Sequence, residues 1–253
     1  MSAPVFLAEP GSLAGYGSGS IYLLGGTEGR HAGVVQRRGA GERVDVVDGA
    51  GVRLVGSVGT VGPDGVRVVV AERLEEPVPG VALVLVQALA KGDRDELAIE
   101  AATEVGVDAV LPWQAERSIV VWRADRAAKS RARWQGTVRA ATKQSRRARM
   151  PVVELAVDGR GLTTRARAVV AAGGVVLVLH EEADTALAAA VLPSATGLEV
   201  LVVVGPEGGI SDREIASLTD AGAQPVRLGP HVLRTSTAGP VALALLSQRL
   251  GRW

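Results

Sequence analysis

Residues 81–88 form a continuous apolar run, far too short for a membrane helix and lacking the alternation of a half-solvated strand. A strand apolar on both faces is stable only when both are covered, which places it inside a parallel sheet flanked by helices. The rest of the chain beyond residue 88 has the matching alternation of helices and strands. Leu97, Ala98, Ala101, Ala102 and Val105 recur at helical spacing, predicting a helix over 93–105 that Gly106 can close in a left-handed cap. Further strands are expected at 108–111, 151–155, 175–179, 200–204 and 225–228. Helices are expected at 125–147, 183–191, 211–221 and 235–250, which gives a parallel α/β sheet with right-handed crossovers.

The residues before the run have a different pattern. Short Val-rich segments at 43–47, 52–58 and 66–71 are separated by the turn signals Asp48-Gly49, Gly59 and Pro63-Asp64-Gly65. A small β domain over 1–75 is expected, then a linker at 74–79 containing Pro77 and Pro79, then an α/β domain over 76–253.

Composition narrows the chemistry. The 253 residues include no cysteine, which excludes disulfides, thiolate nucleophiles, iron–sulfur clusters and Cys-ligated zinc. Three histidines (His31, His180, His231) argue against a multi-histidine metal site, so no metal is expected. The first ten residues lack the basic start and apolar run of a signal peptide. The uncharged run 168–179 contains Gly173-Gly174 and is short of the ~20 residues that a membrane helix needs. These features predict a soluble, cytoplasmic protein.

Net charge is only +1, which by itself argues against a polyanionic partner. The distribution reverses that inference. Residues 1–116 carry −7, residues 150–253 carry −2, and the 33 residues 117–149 hold eleven basic side chains and one acid, net +10. So dense a basic segment gains little from pairing within itself and offers arginine forks to phosphates, which points to nucleic acid.

Two loops carry the candidate chemistry. Val204-Gly205-Pro206-Glu207-Gly208-Gly209-Ile210 lies between a predicted strand and helix, with Ser211 and Glu214 at capping-box spacing. It is neither a Walker loop nor a dinucleotide fingerprint, yet its glycines let backbone approach a ligand at the carboxyl edge of the sheet. The second loop runs from Leu228-Gly229 through Leu233-Arg234 to Thr235-Ser236-Thr237-Ala238, with Thr235 the expected N-cap of the last helix. Successive strand-end loops converge on one pocket, where Arg234 can stabilise developing negative charge. Lys91 and Arg94 come after the first buried strand at the same edge. Glu100 and Glu104, one turn apart, read as a solvated helix surface, and His180 as the end of another strand.

Together, Lys91, Glu104-Val105-Gly106-Val107, Glu116-Arg117-Ser118, Gln144-Ser145-Arg146-Arg147, His180-Glu181 and the two loops resemble, in order and spacing, the RsmE-type ribosomal RNA methyltransferases. The resemblance implies S-adenosylmethionine as cofactor and N3 of a uridine in 16S ribosomal RNA of the small subunit as methyl acceptor. It also implies a SPOUT-type domain with a C-terminal trefoil knot, a PUA-like β-barrel before it, and a homodimer. Cofactor contacts are expected from Leu179, His180, Gly205, Pro206, Glu207, Gly208, Gly209, Leu228, Gly229, Leu233 and Thr235, with Arg234 catalytic. RNA contacts are expected from Arg37, Lys91, Arg94, Arg117, Arg139, Arg146, Arg147 and Arg149. Where the family often has Thr-Glu-Thr this chain has Thr235-Ser236-Thr237, so no carboxylate at 236 takes part. Two alternatives stand beside this reading. One is a SPOUT methyltransferase for a ribose 2′-hydroxyl or another base. The other is a non-catalytic RNA-binding factor in ribosome assembly.

Overall fold

In the computed structural model, residues 3–123 and 125–253 are described, and they form two compact units. The first comprises the residues up to Val78 together with Thr142–Met150. Its strands are β1 (Val5–Leu7), β2 (Ile21–Leu24), β3 (Arg43–Val47), β4 (Val52–Gly62) and β5 (Gly65–Glu75), with the short helix α1 (Gly26–Arg30) after β2. They form one sheet in the order β1-β3-β4-β5-β2, antiparallel except for the β1–β3 pair. Phe6, Leu13, Leu24, Val44, Val46, Leu54, Val66 and Val68 fill its core. The segments at 43–47, 52–58 and 66–71 all lie in strands; β1 and β2 were not foreseen, being only three and four residues long.

The second unit comprises Pro79–Ala141 and Pro151–Trp253. It runs β6 (Val81–Ala88), α2 (Arg94–Glu104), β7 (Ala109–Gln114), α3 (Asp125–Gln144), β8 (Val152–Val153), β9 (Val157–Asp158), α4 (Gly159–Ala171), β10 (Val175–Leu179), β11 (Leu198–Val204), α5 (Asp212–Asp220), β12 (Gln224–Val226) and α6 (Thr235–Arg249). The strands are all parallel, in the order β12-β10-β11-β6-β7-β8, with β9 also on β7. The apolar run of β6 is therefore central. Val84, Val86 and Ala88 join a core with Leu162 and Ala166 of α4 and Leu218 of α5, while β6 also packs against α2 and α6. No helix among the described residues is long and apolar enough to cross a membrane.

Several expected boundaries moved for physical reasons. Strand β7 continues past residue 111 because Pro112 is accommodated opposite Gln87 although it donates no ladder bond. The helix expected over 183–191 is only a 3-10 turn, Leu187–Ala189. There the chain is held instead by an Ala186–Arg227 bridge and by the Leu187 amide on the Arg227 carbonyl. Helix α4 was missed, since its glycines and threonines are poor helix formers; Asp158 caps it at Gly161, and Leu162, Ala166 and Val169 bury one face.

The basic helix α3 stops at Gln144, not 147. Its end is a Schellman closure: the Arg147 amide donates to Thr142 and the Arg146 amide to Lys143, with Arg146 left-handed at φ 58°. The chain thus leaves the helix after Gln144, and Thr142–Met150, which includes the last residues of α3, joins the first unit, which the expected boundary near residue 75 did not include.

One close approach governs how the last helix sits. A Cβ on Gly239 of α6 would lie 2.8 Å from Leu85 Cδ1, so only hydrogen lets the helix reach β6. Gly239→Val is expected to cost about 1–3 kcal/mol through overpacking and to lower Tm by several degrees in calorimetry. A Tm equal to wild type would show that α6 can shift freely.

Candidate functional site

Parallel pairing of β12, β10, β11 and β6 delivers their carboxyl ends to one edge, so the loops after residues 88, 179, 204 and 226 emerge side by side. Two hydrogen bonds tie them together. Gln87, with 0% exposure, donates through Nε2 to Thr235 Oγ1 at 2.9 Å. Thr235 Oγ1 in turn donates to the Gly205 carbonyl at 2.8 Å. Thr235 is thus not the N-cap; Arg234 is, and the threonine hydroxyl joins two loops instead. Gln87 Oε1 meets no donor among the described residues, leaving one buried acceptor behind the loops.

The glycine loop is anchored from three sides. Glu207 accepts from the Lys91 amide at 3.2 Å and from Arg94 at 2.7 Å. Burial raises its pKa, but its own backbone amide, Arg94 and the Lys91 amide outweigh that and hold it below the ordinary carboxylate range. Arg117 Nη1 donates to the Gly208 carbonyl at 3.1 Å. The expected capping box at the start of α5 is present, and the buried Glu214 also accepts from the Glu116 amide at 2.9 Å. Glu214 therefore links the 116–118 segment to the glycine loop's helix.

A cavity of about 580 Å³ is walled by Leu228, Gly229, Pro230, His231, Val232, Arg227, Ala186 and Glu181. Of the residues expected at a cofactor site, Leu228 and Gly229 line it directly. At Gly229 nothing stands within 4 Å of where a Cβ would be, so its backbone is bare. His180 belongs to the adjoining strand end: its amide donates to the Val226 carbonyl and its Nδ1 accepts from Glu182. Gly205, Pro206, Gly208, Gly209 and Thr235 are reached through the loop bonds above, and Leu179 ends β10 between them. Leu233 and Arg234 are exposed beyond the cavity wall. Glu181 and Arg227 were missed as cavity walls; the neighbour of His180 was the only local signal.

The expected RNA-gripping residues divide by what they touch. Arg94 and Arg117 hold the glycine loop. Arg149 donates to the carbonyls of Glu76 and Pro77, which gives its guanidinium a structural task. The basic segment also does not stand unpaired: Arg133 pairs with Glu96, Lys143 with Glu28, and Arg131 donates to the Val153 and Glu154 carbonyls. Lys91, Arg37 and Arg146 are exposed, Arg37 and Arg146 in the left-handed region, while Arg139 and Arg147 are half-buried.

Known proteins resemble this chain over most of its length. A family model for the RNA methyltransferase domain matches residues 76–247. The chain is 46% identical over 236 residues to a ribosomal RNA small subunit methyltransferase E of Mycobacterium tuberculosis, covering 93% of this chain and 89% of that protein. It is similar to a solved ribosomal RNA small subunit methyltransferase E from Neisseria gonorrhoeae bound to S-adenosyl methionine (TM-score 0.84, 27% identity, 98% of both chains). It is also similar to a Legionella pneumophila methyltransferase in complex with SAM (TM-score 0.81, 30% identity, 98% of both chains).

Thr235→Val removes the hydroxyl but keeps the shape. It is expected to cost about 1–3 kcal/mol by removing one acceptor from Gln87 Nε2, which keeps only the Ala88 carbonyl, and the donor to the Gly205 carbonyl, with Thr235→Ser near wild type. Equal unfolding midpoints for the two variants would count against the hydrogen-bond chain. A second expectation concerns Asp95 of α2, which is 1% exposed. Burial outweighs the Glu96 amide, Arg133 and the Ala90 amide, and raises its pKa from 3.8 to about 6. An acid that is weaker when folded favours folding only while protonated, so stability is lost as pH rises from about 4 through 6. Asp95→Asn removes that loss, so its gain in Tm is larger at pH 8 than at pH 5; equal gains would refute the assignment.

Proposed function

The chain belongs to the RNA methyltransferase family, in its small-subunit methyltransferase E branch, and on that premise we propose that it methylates N3 of a uridine in 16S ribosomal RNA using S-adenosylmethionine. The observation that carries this reading is the cavity that the loops after β10 and β12 wall at 181–186 and 227–232, with Arg234 two residues further along the chain.

The residues present suit the cofactor. A cavity of about 580 Å³ is in the range of small-molecule sites. The bare backbone at Gly229 suits a flat base, and the Glu181 carboxylate suits a cationic sulfonium or ammonium group. Loop residues Gly205, Pro206, Gly208, Gly209, Leu228 and Leu233 would hold it, with Leu179, His180 and Thr235 shaping the wall. When bound, S-adenosylmethionine supplies a methyl group on an excellent leaving group, so positioning accounts for much of the catalysis.

Uridine N3 is a poor nucleophile until its proton leaves. The chain's own contribution is donation to the uracil oxygens as negative charge develops, and Arg234 is the group offered for it. Glu207 is a poor base here, because Arg94 and the Lys91 amide already stabilise its carboxylate. Arg37, Lys91, Arg139, Arg146 and Arg147 are offered as phosphate contacts. Arg94, Arg117 and Arg149 act mainly by holding the loops and the chain in place.

The same reading includes a PUA-like barrel for the five-stranded sheet and a SPOUT-type knot. The knot is favoured by α6, which leaves edge strand β12 and returns to pack on β6 and β11. It also includes a homodimer, favoured by the exposed Leu97, Val241 and Leu245 on the mutually packed α2 and α6, and action in the cytoplasm, where ribosomal subunits are assembled.

The direct test incubates undermodified small subunits with labelled S-adenosylmethionine, then digests the RNA to nucleosides. 3-Methyluridine is the expected product. A 2′-O-methyl nucleoside or another methylated base would replace the proposed acceptor, and no product together with no S-adenosylmethionine binding in calorimetry would favour an assembly factor. Arg234→Ala is expected to slow single-turnover methylation by about 10²–10³-fold at unchanged cofactor affinity. A wild-type rate would remove Arg234 from the mechanism.

A further inference from the structure

A second cavity of the α/β unit is larger than the one at 228–232. It encloses about 890 Å³ at the carboxyl ends of β7 and β9, between the loop after β7, the first turns of α4 and one side of α5. Its polar atoms, its charge and its position each bear on the ligand it takes.

The wall includes two donors without acceptors. Trp113 is 0% exposed and its Nε1–H finds no acceptor among the described residues; the same holds for the buried Ser118 hydroxyl. Orphaned buried donors are rare and cost about 1–3 kcal/mol each, so a cavity wall with two of them is matched to a ligand that accepts hydrogen bonds.

The wall carries four arginines (Arg123, Arg160, Arg167 and Arg213) and four acids (Glu116, Asp158, Glu214 and Asp220), and what distinguishes it is which of them are paired. Arg123, Arg160 and Arg167 are exposed, and none forms an ion pair among the described residues. The acids nearby are mostly engaged: Glu116 with Arg213, Asp158 on the Gly161 amide, and Glu214 on Ser211 and the Glu116 amide. Glu116, Asp158 and Asp220 are all exposed on the wall, and of these Asp220 has no partner among the described residues. Three available guanidinium forks recognise phosphate.

The cavity also adjoins the proposed methyl-transfer site. Arg117, within its loop, grips the Gly208 carbonyl, so a strand lying across the glycine loop leads into it. An anionic rim ligand with neutral acceptors below it, continuous with an RNA substrate, is a nucleotide.

We propose that this cleft is a second nucleotide site, separate from the cavity where the methyl group moves, seating a neighbouring nucleotide of the substrate strand. Its phosphate meets Arg123, Arg160 and Arg167, and its base acceptors meet Trp113 and Ser118. The inference rests on the RNA-methylating function proposed above.

The test is an Arg160→Ala/Arg167→Ala double variant, both positions being exposed on α4, compared with wild type in two assays. The first is a salt-dependent titration of a short fluorescent single-stranded RNA; the second is methylation of undermodified subunits. The double variant is expected to bind the RNA roughly tenfold more weakly, with its salt slope reduced by about two and unchanged S-adenosylmethionine affinity. Its KM for subunits rises while kcat changes little. Wild-type RNA affinity and salt slope in the double variant would overturn the second site, while wild-type methylation left the functional reading intact. Arginine-dependent RNA binding with no methylation by wild type would instead overturn the function and support the cleft.

Discussion

A wholly buried amide holds the site together. Gln87 is the polar exception in the central strand, and its hydrogen bond to Thr235, passed on to the Gly205 carbonyl, connects the first strand to both functional loops. Buried hydrogen bonds of this kind are directional where apolar packing is not, so they select one loop arrangement among many that would bury similar area. Gly239 permits it, by letting α6 come close enough to β6 for the Thr235 hydroxyl to reach. The site's geometry is therefore set from beneath the loops as much as by the loop residues themselves.

Electrostatics obey a comparable logic. The 33-residue segment of net +10 looks like one phosphate-binding surface, but its charges have different partners. Arg117 supports the glycine loop, Arg131 and Arg133 fasten α3 within its own unit, and Lys143 is held by Glu28 and lies over the Phe6 ring within the first unit. Two acids distant in sequence, Glu96 and Glu28, pair with Arg133 and Lys143, and backbone carbonyls engage Arg117, Arg131 and Arg149. A charge excess along the chain thus becomes scaffolding plus a smaller set of exposed arginines, of which Arg123 lines the cleft beside α4.

Loop anchoring also bears on the chemistry. Glu207 is clamped by an amide and a guanidinium and is thereby kept a weak base, which favours charge stabilisation over proton abstraction by this side chain. Glu214 does comparable work in α5, where one carboxylate completes the capping box and holds the Glu116 amide. Both acids organise the backbone that would contact a ligand.

The layered α/β unit, its parallel strands and its two strand-end loops were legible because they depend on local pattern: β6 is apolar on both faces, and glycines and a capping box come after β11. Helix α4 was not legible, because its stability comes from Leu162, Ala166 and Val169 packing on the sheet, not from propensity. The end of α3 at a left-handed arginine was equally hidden, since glycine is the usual signal for such a closure. Sequence by itself determined which segments must be buried and where the chain has to turn at the sheet edge. Only the tertiary structure decided which arginines meet carbonyls or carboxylates, that Thr235 bridges two loops and not a helix end, and that a cleft with unpaired arginines and orphaned donors stands beside α4. The reason is physical: burial and turn geometry are fixed by neighbours along the chain, whereas the partner of a charge or a hydroxyl is fixed by whatever folding brings within about 3 Å of it.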